Sequence, residues 1–184
     1  MKKTVLTFGL ISGAISSLMM LATVPFMDKI GHGKGGYIVG YTGIVLSFLL
    51  VFFGIRSYRD NVGNGQITFT KAFAVGICIT LISCIFYVVT WEIIYFNFMH
   101  DFMDKYGTHV IEKLKASGAT DAAVQAEVQK LKHFKQLYEN PLFNAAMTFI
   151  EPFPIGLAIT LISAAVLRRK SQSQPAQSPL PASH

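Results

Sequence analysis

The sequence predicts an all-α fold, a four-helix transmembrane bundle with an extracytoplasmic helical hairpin between the third and fourth spans. Three observations carry this reading. Four apolar runs reach the roughly 20 residues that a helix needs to cross the hydrocarbon. Only 14% of the 184 residues are charged against 52% hydrophobic, too little charge for a soluble domain of this length. Between the third and fourth runs, residues 99–140 turn polar yet keep a helical period.

The first span is expected over residues 5–26. Its apolar run exceeds the roughly 7–15 residues of a secretory signal, and no small-residue cleavage site follows, so it reads as an uncleaved helix. Gly9, Gly13 and Ser17 recur at four-residue spacing, a stripe that lets a neighbouring backbone approach closely. A short glycine-rich connector leads to the second span, residues 36–55, with a like stripe at Gly36, Gly40 and Gly43. Helix packing is the expected role of both stripes. The short connector makes the two spans antiparallel.

Residues 56–71 form a polar turn, with Thr68 placed to cap the third span over residues 72–98. Cys78 and Cys84 lie within that span, six residues apart, and read as small buried apolar residues and not as a redox pair. Beyond it, Met99, Met103, Tyr106, Val110 and Leu114 make one apolar stripe, and Val124, Val128, Leu131, Phe134 and Tyr138 make a second. Ser117-Gly118 separates them and Asn140-Pro141 stops the second, so residues 99–140 read as a solvated helical hairpin. The fourth span, residues 142–167, is interrupted at Glu151-Pro152, where Glu151 is expected to cap a helix starting at Pro152. Residues 171–184 lack apolar periodicity and are expected to be a disordered cytoplasmic tail.

Four spans put both termini on one side. That side carries Lys2, Lys3, Arg56, Arg59, Lys71, Arg168, Arg169 and Lys170 against Asp60 alone. Basic residues close to spans mark the cytoplasmic face, so both termini are expected inside and the hairpin outside. The same residues account for the net charge of +6, and nothing in the chain points to nucleic acid.

The patterns G-I-R-S-Y-R at 54–59, G-Q-I-T-F-T-K-A-F at 65–73 and E-P-F-P-I-G…L-I-S-A…L-R-R-K across 151–170 resemble the bacterial domain-of-unknown-function family 4199, small four-span membrane proteins. The resemblance implies the bacterial cytoplasmic (inner) membrane and four helices. It implies no activity, cofactor or catalytic residue.

Two carboxylates stand out, Glu92 in the third span and Glu151 in the fourth. At 1.5 Å per residue they lie roughly 30 Å and 24 Å from the cytoplasmic ends of their helices, near the outer edge of the hydrocarbon. There each is either a boundary residue that reaches the headgroup region or pairs with a base such as Lys29, Lys34 or His100, or part of a site for a proton or cation. His100 and Asp104, four apart with Asp101 and His109 nearby, lack any metal-site spacing and read as a solvated face. Nucleophile elbows, phosphate loops and paired redox cysteines are absent from the sequence, so no enzyme activity, metal or cofactor is expected. The functional expectation is a non-enzymatic interaction or scaffold protein, with the bilayer around it. Its further partner is a second copy or a membrane or periplasmic protein. The alternative is a small proton- or cation-coupled transporter using Glu92 and possibly Glu151.

Overall fold

The computed structural model describes residues 1–26 and 34–169. The tail expected beyond residue 170, the connector residues Lys29 and His32, the side chain of Lys34 and the surroundings of Gly36 lie outside the described set. Among the described residues seven α-helices follow one another: α1 (Lys2–Thr23), α2 (Lys34–Asn61), α3 (Phe69–Phe98), α4 (Phe102–Ala116), α5 (Asp121–Tyr138), α6 (Pro141–Ile150) and α7 (Pro152–Leu167). A 3₁₀ turn, Val24–Phe26, ends the first of them.

The punctuation is chemical. The Thr68 hydroxyl accepts from the Lys71 amide and Thr120 accepts from Ala123, so each caps the helix that follows it. Gly118, with φ of +80°, turns the chain between α4 and α5, a conformation that a Cβ disfavours. Asn140 accepts from the Leu142 and Phe143 amides, and Pro141 opens α6 where no amide is needed. On the opposite end of the bundle, a single antiparallel bridge joins Ile67 to Arg169 and fastens the α2–α3 turn to the end of α7.

α3 is the common neighbour: α1, α2, α6 and α7 all pack on it, while α1 and α7 sit on separate sides. Its contacts are close because small residues meet large ones. A Cβ built on Gly13 of α1 would fall 2.6 Å from Phe86 Cγ, and one on Gly156 of α7 only 2.5 Å from Thr80 Cγ2. Gly76 likewise faces Ile55 and Thr160 at 2.8 Å. Hydroxyls then bond across the helices. Thr80 meets Thr160 at 3.0 Å, Ser12 donates to the Ser47 carbonyl at 2.9 Å, and Ser17 meets Thr90 at 2.7 Å. In lipid such contacts replace hydrophobic drive, since the tails are as apolar as the side chains.

The small-residue stripes divide. Gly9 and Gly13 face Ile82 and Phe86 of α3, and Gly43 faces Met19 of α1. Gly40 is exposed, and a Cβ there would meet nothing within 4 Å among the described residues. The fourth span also differs from expectation. α7 starts at Pro152 with Glu151 at its N-cap position as expected, but the Glu151 backbone is right-handed helical (φ −70°, ψ −58°) and its side chain bonds no α7 amide. The missing proline amides at 152 and 154 break the hydrogen-bond ladder without ending the helical path, so the carboxylate is free to point elsewhere.

A paired substitution tests the close approach. Gly156→Leu is expected to destabilise the bundle by about 1–3 kcal/mol through overpacking, whereas Gly40→Leu stays within about 0.5 kcal/mol of the parent. Thermal unfolding in detergent reads both.

Candidate functional site

The polar and aromatic groups of the chain converge at the hairpin end of α3. Trp91, buried at 7% exposure, donates its indole N–H to the Tyr138 hydroxyl at 3.0 Å. Tyr95, one turn on, packs edge-to-face on the Tyr138 ring with centroids 5.2 Å apart. Phe102 closes the cluster, 5.1 Å from Trp91 and 6.4 Å from Tyr95. Phe134 stacks from the α5 side and reaches Phe143 of α6. Edge-to-face rings add stabilisation beyond their area, and the indole needs an acceptor once buried. Residues 91 and 95 share a face of α3 because they are four apart, and that face receives the last turn of α5.

The network continues into the fourth span. Asn144, wholly buried, donates from Nδ2 to the Tyr138 carbonyl at 3.2 Å and accepts from the Thr148 hydroxyl at 3.2 Å. Tyr138 is thus held at its ring, its hydroxyl and its backbone. Burial pushes its phenol above the ordinary range, the hydrogen bond from the Trp91 indole works against that, and negative charge at Glu151 and Glu92 adds to it. The phenol therefore stays protonated across physiological pH, and the joint keeps its hydrogen bonds.

The two carboxylates border this joint, and neither pairs with a base among the described residues. Tyr87 donates to Glu151 Oε2 at 3.1 Å, and Glu151 itself is exposed on the outside of the bundle. Glu92 is half-buried, and its Oε1 is sealed from solvent with no hydrogen-bond partner among the described residues. His100 is exposed, and the ion pairs formed by the described residues leave both carboxylates out. The hairpin acids are taken by lysines. Asp101 pairs with Lys105 of its own helix at 3.1 Å. Asp104 takes Lys135 of α5 at 2.6 Å, and that hydrogen-bonded carboxylate raises the ammonium's affinity for its proton. The Asp104–Lys135 pair ties the two arms of the hairpin to each other, and Leu131 packs against Gly107 beside it.

Sequence reasoning placed Trp91, Tyr87, Asn144 and Thr148 only as residues within spans, and Tyr138 only as one of an apolar stripe. The available signals were an asparagine inside an apolar run and a Trp and Tyr spaced four apart at a span's end.

Four segments, Lys2–Phe26, Gly40–Asn61, Phe69–Phe98 and Pro141–Leu167, are long and apolar enough to cross a bilayer. With those segments packed as one bundle, the molecule is a multi-pass membrane protein carrying a helical hairpin at one end. The chain belongs to the family of proteins of unknown function DUF4199, whose model matches residues 7–169. No curated protein and no solved structure matches it.

The joint is testable by a double-mutant cycle. Tyr138→Phe strands the buried Trp91 N–H and is expected to cost about 1–3 kcal/mol, with Trp91→Phe costing about 1 kcal/mol. The pair of changes together costs less than the sum, because both remove one bond. Trypsin cleavage rates at Lys113, Lys115, Lys130 and Lys132 report the opening of the hairpin.

Proposed function

We propose that this chain is a non-enzymatic interaction or scaffold protein of the bacterial inner membrane, with both termini in the cytoplasm and the hairpin outside. The observation that carries the reading is the joint at Trp91, Tyr95 and Tyr138. A tether needs no fixed orientation, whereas a recognition element gains affinity from being pre-organised. Here the last turn of α5 is locked to α3 and, through Asn144, to α6. The sidedness rests on the basic residues gathered at the other end of the bundle.

The surface so presented is distinctive on α5. Ala122, Gln125, Ala126 and Gln129 line a shallow, uncharged depression on a helix otherwise rich in lysine. Small side chains allow close approach and glutamine amides offer both donors and acceptors, a surface suited to another helix. Coupled transport is the competing reading, and the unpartnered Oε1 of Glu92 is what favours it.

Photo-crosslinking in living cells separates the two. A photoreactive residue at Gln125 or Gln129 is expected to give one discrete adduct with a partner chain, unchanged in Glu92→Gln. Failure of both positions to give any adduct, with loss of complementation in Glu92→Gln made at the parental level, would reverse the assignment in favour of transport.

A further inference from the structure

The outer face of the fourth span carries a carboxyl group in a place where lipid does not tolerate charge. Met147, Glu151, Pro154, Ala158, Leu161 and Ala165 are all exposed on the outside of α6 and α7. Their spacing alternates between four and three residues, the a/d period of a helix-packing seam, and it runs unbroken through the Glu151 junction because the backbone there stays helical. Ala158 and Ala165, on either side of Leu161, leave room for a facing helix at alternate positions on the seam.

Glu151 sits about 24 Å along the helix from Leu167, inside the span-length apolar segment Pro141–Leu167 and toward its hairpin end. Tyr87 supplies one hydrogen bond to Oε2, and no other hydrogen bond or ion pair reaches this carboxylate among the described residues. A carboxylate has about four acceptor sites, so one hydrogen bond leaves most of its capacity unused among the described residues. Such a group in a span is expensive unless a partner answers it.

From this geometry we infer that the seam docks a transmembrane helix of another protein bearing a lysine or arginine in its hairpin-side third, with Glu151 and Tyr87 receiving the cation. A second copy fits poorly, since a two-fold axis along the seam would set Glu151 against Glu151. Within the four spanning segments the basic residues, Lys2, Lys3, Arg56, Arg59 and Lys71, lie at the opposite end, as do Arg168 and Arg169 just beyond the fourth. The inference rests on the interaction reading in taking the chain to act through partners, but it concerns a different surface from the hairpin.

The test uses the full chain in phosphatidylglycerol vesicles with a labelled leucine/alanine transmembrane peptide holding one lysine in the hairpin-side third. Energy transfer is expected to give a dissociation constant about tenfold lower than for the same peptide with leucine there, a difference of about 1.4 kcal/mol. Glu151→Gln abolishes the preference, and Glu151→Lys transfers it to a peptide bearing aspartate at that position. Equal binding of lysine and leucine peptides by the parent, or a lysine preference that survives in Glu151→Gln, would overturn the proposal. So would a preference cancelled by adding phosphatidylethanolamine, with amine lipid bound to the parent and lost in Glu151→Gln. Hairpin adducts at Gln129 are scored in parallel, so loss of the lysine preference with adducts intact condemns this inference alone.

Discussion

Helix α3 packs against every other span and also carries α6, and close approach to it is the constraint the remainder obeys. Lipid supplies no hydrophobic drive between helices, so α3 is held by contact and by hydroxyl pairs. Gly13, Gly76 and Gly156 each sit where a Cβ would collide with a side chain across the interface. Replacing such a glycine pushes α1, α2 or α7 away from α3, and with it the Ser17–Thr90 or Thr80–Thr160 bond. The bundle core is in this sense a set of short interaxial distances, fixed by absent atoms.

The same helix carries the hairpin. Trp91 and Tyr95 extend the packed face of α3 to the bundle's end, and Tyr138 of α5 closes on them. Because Asn144 also holds the Tyr138 carbonyl, the exit from the third span and the entry to the fourth are one structural unit. The exposed ion pairs of the hairpin contribute little by comparison, being solvated and screened. Orientation of α4 and α5 thus derives from buried aromatic and amide contacts at their base.

How much of this was legible in the sequence follows from what hydropathy encodes. The apolar runs and the punctuation at Thr68, Thr120, Gly118 and Asn140 depend on local chemistry, which the residues display directly. The rotation of α3 is another matter. The helix is apolar on all sides, so no period tells which face meets which neighbour. Gly13 and Gly40 look alike as members of four-residue stripes, yet one abuts Phe86 and the other faces open space. Glu151 reads as a cap because proline follows it. Its engagement with Tyr87 depends on a contact 64 residues distant in the chain, which spacing cannot supply.

Hydrogen exchange of the intact protein in lipid nanodiscs tests the central claim, that the hairpin is a rigid extension of α3. The amides of α4 and α5 are expected to be protected and to open together with residues 91–98 as one unit. Rapid, peptide-like exchange throughout 102–138 beside a fully protected α3 would show a loose tether and contradict it.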